Sequence, residues 1–309
     1  MTCILITGAA GMVGRALVGA LAGHDVIATD LDRATLPPDV TFRPMDVTGS
    51  DPGTVIAAER PDVVVHLASI VTPPPGMTRA QAFAVDVTGT RNVVAACVAH
   101  GVKRLVVTSS GAAYGYHADN PVPLTEDAPC RGNPEFAYAD HKRQVEDILA
   151  DARRDHPALE QVVLRVGTVL GAGTDNQITA LFRRKRLLAI RNSDSPFVFI
   201  WTRDLARIVE RAATTGPAGI YNVAGDGWLS VDELAQALGK PILRLPAWTL
   251  KTALAIAHPL GLSQYGPGQV RFLQYRPVLD NTRLKRVFGY TPELTSAQVF
   301  DLWKTKAGL

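Results

Sequence analysis

Cys3-Ile4-Leu5-Ile6-Thr7-Gly8-Ala9-Ala10-Gly11-Met12-Val13-Gly14 is an apolar run that breaks into a glycine-rich turn. Its first five residues suit a buried parallel strand, which is covered on both faces and so reads as continuously hydrophobic. Gly8, Gly11 and Gly14 recur at three-residue steps, and Arg15 to Leu21 continues with helical spacing. In a strand–turn–helix unit each glycine has a task. One turns the chain sharply, one lets backbone approach a pyrophosphate, and one lets helix pack on strand. The helix N-terminus then offers free N–H groups and a partial positive charge to the anion. A glycine triplet alone also fits a plain tight turn, so the residues that follow decide between the two.

Asp25-Val26-Ile27-Ala28-Thr29-Asp30 reads as a second strand ending in a carboxylate. Asp30 falls about 20 residues beyond the glycines, where an acid is expected to accept from the ribose hydroxyls. Such a carboxylate repels a 2′-phosphate and favours NAD over NADP; Arg33 is a counter-signal or simply a solvated turn residue beside Asp32. A third strand is expected at Thr41–Val47, where Asp46 either accepts from an adenine amino group or caps a turn. A fourth strand is expected at Asp62–Ser69 and a fifth at Arg104–Ser110, with an alanine- and valine-rich helical stretch, Ala80 to His100, between them. This alternation is the pattern of an α/β fold with a doubly wound parallel sheet. Ligands in such sheets bind beyond the carboxyl ends of the strands. Asp30, Ser69, Ser109 and Ser110 all stand at such ends and are expected to ring one crevice.

The chain resembles the extended short-chain dehydrogenases/reductases, the NAD-dependent epimerase/dehydratase family. The resemblance rests on Thr7-Gly8-x-x-Gly11-x-x-Gly14, Asp30, Asp46-Val47, His66-Leu67-Ala68, Ser109-Ser110-x-x-x-Tyr114-Gly115, Tyr138-x-x-x-Lys142, Leu164-Arg165, Asp204-Leu205-Ala206, Tyr221-Asn222-Val223-Ala224-Gly225 and Phe288-Gly289-Tyr290-Thr291-Pro292. It implies a Rossmann-type sheet with a smaller C-terminal substrate-binding cap, and NAD as cofactor. It implies cofactor contacts at Gly8, Gly11, Met12, Val13, Gly14, Asp30, Asp46, Val47, Leu67, Ala68, Ser69, Tyr138, Lys142 and Val166. Substrate contacts are implied at Thr72, Ser110, Arg165 and Phe197. It also implies a homodimer built on the helices at Thr90–His100 and Ala139–Ala152.

Ser110, Tyr138 and Lys142 are the expected catalytic set. Tyr138 and Lys142 are four residues apart and share one helix face. A free tyrosine, with a pKa of about 10, is a poor base at neutral pH, but neighbouring cations favour its phenolate. Tyr138 is then the group that exchanges a proton with a substrate hydroxyl while hydride moves, and Ser110 orients the same oxygen. The family's serine stands four residues before the Tyr-Gly pair, which selects Ser110 over Ser109. One position departs: Asp86 occupies the place of a family asparagine, and either supports the relay in altered form or is a plain acid near a helix start.

Composition fits an ordinary globule: 309 residues, 47% hydrophobic, 20% charged, net charge +3. That charge is too mild to argue for nucleic acid. The basic knot Arg183-Arg184-Lys185-Arg186 is either a solvated helix face or an anion contact. Three scattered cysteines form no metal spacing and need no disulfide, which suits a reducing cytoplasm. No metal and no membrane association are expected, and the partner is a small molecule. The apolar segment Ala247 to Leu262 is short for a spanning helix. It is expected as a core helix of the smaller lobe or an apolar wall of the pocket. Residues 1–170 are expected to form the cofactor domain, with 197–225 returning to it. Residues 171–196 and 226–309 then build the cap, and the Val71–Gly76 loop, stiffened by three prolines, shapes the pocket rim.

The expected activity is an NAD-dependent oxidation or reduction of a small or apolar non-nucleotide hydroxyl/carbonyl compound. Alternatives are a nucleotide-sugar epimerase or dehydratase holding NAD tightly, and a catalytically idle NAD-binding protein. Nucleotide-sugar members usually carry an arginine seven residues before the aspartate of Asp204-Leu205-Ala206, to neutralise the diphosphate. Seven back from Asp204 stands Phe197.

Overall fold

The computed structural model describes residues 2–33, 35–263 and 266–309. The first half alternates as the sequence predicts: β1 Cys3–Thr7, α1 Met12–Ala20, β2 Asp25–Asp30, β3 Thr41–Pro44, α2 Asp51–Glu59, β4 Val63–His66, α3 Arg79–Phe83, α4 Gly89–Ala99 and β5 Arg104–Ser110. Next come α5 Ala137–Asp155, β6 Glu160–Val166, β7 Thr168–Leu170, α6 Gln177–Phe182, β8 Leu187–Ile190, β9 Phe199–Trp201, α7 Thr202–Ala213 and β10 Gly219–Val223. The last part holds α8 Val231–Leu238, β11 Ile242–Leu245, α9 Ala247–Ala257, α10 Val270–Gln274, α11 Thr282–Arg286 and α12 Ser296–Lys306.

Seven parallel strands form the central sheet in the order β10-β6-β5-β4-β1-β2-β3. The order reverses between β1 and β4, and a crevice opens at such a switch point. Side chains alternate across the pleat as a period of two demands. Ile4 and Ile6 pack with Leu17, Val18 and Ile208 on one face, and Leu5 packs with Val64, Val93 and Leu149 on the other. A separate apolar cluster of Phe182, Phe197, Phe199, Phe300 and Trp303 forms the core of the cap. Its rings meet mostly edge-on or tilted, with Phe182 5.3 Å from Phe197 and 5.4 Å from Phe300 between centroids. Helices α8 and α12 start at full capping boxes, Ser230 with Glu233 and Thr295 with Gln298, so their free amides are satisfied where the cap meets solvent.

Strand β3 is shorter than expected. After Met45 N–H donates to the Asp30 carbonyl, Asp46 Oδ1 accepts from Thr48 N–H and turns the chain. Strand β4 likewise ends at His66 rather than Ser69. The helix expected at Ala80–His100 carries a π-helical turn at Ala84–Thr88. The Ala247–Leu262 expectation fails on both readings. Helix α9 has no buried residue, Trp248 and Leu262 are 70% and 78% exposed, and none of the segment lines the cavity described below. The 226–309 stretch is also divided between lobes. Leu284 and Phe288 pack in the core of the main sheet, and Phe288 lies 4.8 Å from the Tyr221 ring. The buried Asp204 carboxylate accepts from Tyr290 Oη at 2.7 Å and Glu293 N–H at 3.1 Å. This ties the Asp-Leu-Ala segment to the Phe-Gly-Tyr segment far along the chain.

Under the glycine turn runs a buried polar chain. Thr7 Oγ1 lies 2.7 Å from His66 Nδ1, and His66 Nε2 lies 3.1 Å from Thr90 Oγ1. Burial pushes the His66 pKa down to about 3. The folded state therefore keeps His66 neutral while the unfolded chain takes up its proton near pH 6.5. The stabilisation is complete above about pH 6.5 and is lost as pH falls toward 3, by up to roughly 4 kcal/mol. Thermal unfolding followed from pH 7 to 4 is expected to lose stability across this window, with a shallower slope in His66→Gln.

Candidate functional site

Two glycines, Gly8 and Gly14, leave no room for side chains at the end of β1. Gly8 has φ +67°, and a Cβ there would stand 2.7 Å from Ala68 N; a Cβ on Gly14 would stand 2.5 Å from the carbonyl oxygens of Gly8 and Ala9. Gly11 is the extended residue before α1 and caps nothing with a side chain, and the first turn of α1 holds no acid. This open helix N-terminus fits a pyrophosphate. Asp30 is fixed at the far side of the turn, its Oδ2 accepting from Ala10 N–H at 3.0 Å and its Oδ1 from Leu31 N–H at 2.8 Å. Each oxygen keeps a lone pair for a ribose hydroxyl. Arg33 is turned into its own loop, donating through Nη2 to the carbonyls of Pro37, Pro38 and Val40. Asp46 makes the turn described above, and Val47 is buried against α4, where a Cβ on Gly89 would meet its Cγ2 at 2.7 Å.

A cavity of about 550 Å³ opens beyond the carboxyl ends of β5 and β6, with Tyr138, Lys142, Ser109 and Ser110 in its wall. Of the residues expected on the cofactor, Met12, Val13, Leu67, Ser69 and Val166 also line it, as do Thr72 and Phe197 from the expected substrate set. Lys142 is buried, donates to the Thr108 carbonyl at 3.1 Å, and lies 5.8 Å from the centre of the Tyr138 ring. Ser110 Oγ accepts from Ala112 N–H at 3.1 Å, which fixes the start of the turn after β5. Ser109 faces the same cavity, so family position rather than access distinguishes Ser110.

The structure places Arg165, expected at the substrate, away from the cavity. It lies in a buried bidentate pair with Glu146, both bonds 3.0 Å, and it also donates to Tyr114 Oη at 2.9 Å. Tyr114 in turn donates to Asn222 Oδ1 at 2.8 Å. The Leu164-Arg165, Tyr114-Gly115 and Tyr221-Asn222 segments are therefore one internal network joining β6, α5 and β10. The basic knot at Arg183–Arg186 is exposed and lines no part of the cavity.

The spacing of residues gave no signal for the partner of Asp86. Its Oδ2 meets His141 Nδ1 at 3.0 Å, while Oδ1 accepts from Ser69 Oγ and Ile70 N–H, both at 2.8 Å. Burial opposes the charge on Asp86, but His141, Lys142 and the two loop donors outweigh it and hold the carboxyl below the usual range. Asp86 thus ties α5, between Tyr138 and Lys142, to the loop at the cavity rim. Other cavity-lining residues were missed as well. Thr174, Asp175 and Asn176 line the cavity, and Tyr116, Phe136, Phe272 and Arg276 form its outer wall.

A parallel sheet with a glycine cradle at its switch point and a Tyr–Lys pair in the adjoining cavity defines a dinucleotide-binding Rossmann protein. Residues 4–224 match the NAD-dependent epimerase/dehydratase family, and the chain belongs to that family. An uncharacterised Mycobacterium tuberculosis protein is 26% identical over 99% of this chain and 84% of its own length. The Arabidopsis thaliana 3beta-hydroxysteroid-dehydrogenase/decarboxylase isoform 2 is 25% identical over 93% of this chain and 59% of its own. Among solved structures, UDP-glucose 4-epimerase from Thermotoga maritima with UDP-glucose superposes with a TM-score of 0.75 at 20% identity, covering 99% of this chain and 98% of that one. A short-chain dehydrogenase/reductase superfamily protein from Agrobacterium tumefaciens with bound NAD gives 0.73 at 24% identity, covering 99% and 97%. The cofactor is NAD, and the glycine cradle fits it.

With Asp30 facing the ribose position and Arg33 held in its own loop, NAD(H) is expected to bind at least about tenfold more tightly than NADP(H). Fluorescence titration checks this, and Asp30→Ala is expected to narrow the gap.

Proposed function

We propose that the protein is an NAD-dependent oxidoreductase acting on a hydroxyl or carbonyl carbon of a small or apolar, non-nucleotide substrate. The observation that carries this reading is the cavity itself: Tyr138, Lys142 and Ser110 share it with an aromatic wall and with Phe197. In the direction of oxidation the alcohol loses a proton from oxygen and a hydride from carbon. Bound NAD supplies the hydride acceptor. Tyr138 Oη takes the proton, and Lys142, held on the Thr108 carbonyl, stabilises the phenolate from which it starts. Ser110 Oγ orients the substrate oxygen. Asp86 and His141 hold the helix segment that carries both Tyr138 and Lys142.

Phe197 supports the non-nucleotide part of the reading. It is buried, stacks on Phe199 with the ring planes 10° apart, and offers no donor to a diphosphate. The second reading, a nucleotide-sugar epimerase, draws on the fold neighbours solved with UDP-glucose and is separated from the first by direct binding.

Tyr138→Phe keeps the ring and removes the hydroxyl; turnover is expected to fall about 100-fold or more, with NAD affinity nearly unchanged. Near-normal turnover would move the proton to another group. Calorimetry of the NAD-loaded protein with UDP and UDP-glucose is expected to give no micromolar binding, and such binding would promote the epimerase reading.

A further inference from the structure

Arg276 is a cation in the cavity wall with no carboxylate partner among the described residues. Its guanidinium lies between two rings, 3.7 Å from the centre of Phe197 and 4.9 Å from that of Phe272. Nη1 donates to the Ser195 carbonyl at 2.7 Å and to Ser195 Oγ at 3.1 Å. Among the described residues, the buried Nε has no partner and Nη2 forms no bond. Rings fix the plane of a guanidinium, and with Nη1 taken by Ser195 and Nε buried, Nη2 is the donor left for a substrate carboxylate. Desolvation pushes the Arg276 pKa down, to about 9, which marks a cation short of counter-charge. A partly buried, desolvated cation of this kind is costly until an anion joins it.

We infer that Arg276 anchors a carboxylate on the substrate, in the same cavity as Tyr138. The substrate class is then a hydroxy or oxo acid with an apolar body, its body against Phe197, Phe272 and Tyr116 and its hydroxyl at Tyr138. A single negative charge suits the site better than a diphosphate. The only cations in the cavity wall among the described residues are Arg276 and Lys142, and Lys142 is held at Thr108 beside Tyr138. Asp175, in the same wall, opposes a larger anionic load. This inference rests on the non-nucleotide reading above and deepens it.

The test is calorimetry of the NAD-loaded protein with 4-(hydroxymethyl)benzoate, 3-phenyllactate and 3-hydroxyoctanoate, each beside its methyl ester. At least one acid is expected to bind about tenfold or more tightly than its ester. Arg276→Met is expected to erase that preference, Arg276→Lys to retain part of it, and Tyr138→Phe to leave it intact. Unchanged NAD affinity in each variant establishes that the sheet is folded. A panel in which no acid exceeds its ester, or in which Arg276→Met keeps the preference, overturns the carboxylate anchor and leaves the non-nucleotide reading standing. Micromolar UDP-glucose binding overturns both.

Discussion

Everything in the cofactor half depends on a steric constraint: at the end of β1 there is no space for a Cβ. Gly8 lies against the backbone of Ala68, and Gly14 against the carbonyls of Gly8 and Ala9. That closeness brings three strand ends together, because Asp30 at the end of β2 then reaches Ala10, and Thr7 at the end of β1 reaches His66 in β4. The open N-terminus of α1 is left facing the crevice. A side chain at either glycine would separate helix from sheet and pull the acid at Asp30 away from the turn that fixes it.

The chemistry on the other side of the crevice depends on a buried charge arrangement. Asp86, an anion where the family resemblance leads one to expect a neutral amide, is paired with His141 on the helix that carries Tyr138 and Lys142. A buried carboxylate with only loop donors would be costly; with an imidazole at 3.0 Å and an ammonium nearby it is accommodated. The same carboxylate holds Ser69 and Ile70, so the helix bearing Tyr138 and Lys142 and the cavity rim share one fixed point.

The sequence carried most of the cofactor half, since local patterns there have local causes. Strand β1, the glycine turn, β2 with Asp30, and β5 with Ser110 all follow from apolar runs and turn chemistry within a few residues. The ends of β3 and β4 were overextended, because a side-chain bond from Asp46, and Thr7 Oγ1 accepting from Leu67 and Ala68 N–H, stop them where apolarity continues. The cap was less legible. Helix α9 reads as buried by composition, yet its apolar side chains face outward, and nothing in its local pattern distinguishes the two. Arg165 is conspicuous in sequence but spent on Glu146, a partner in another element. The pairing of Asp86 with His141 spans 55 residues, and the seat of Arg276 on Phe197 joins residues farther apart still. Such contacts come from the topology and leave no periodic trace.

The cap wall is assembled from three separated stretches: the Thr174–Ile178 turn, the Pro196–Val198 segment and the Phe272–Leu279 segment. Between the second and third of these the chain runs back through α7 and β10 of the main sheet, and after the third it returns there again through Leu284 and Phe288. The cavity wall is thus encoded discontinuously. No single contiguous exchange with a relative would transplant it, whereas point changes at the wall can alter it one residue at a time without touching the sheet. A lineage of such proteins can diversify its cavity wall while its NAD-binding half stays fixed.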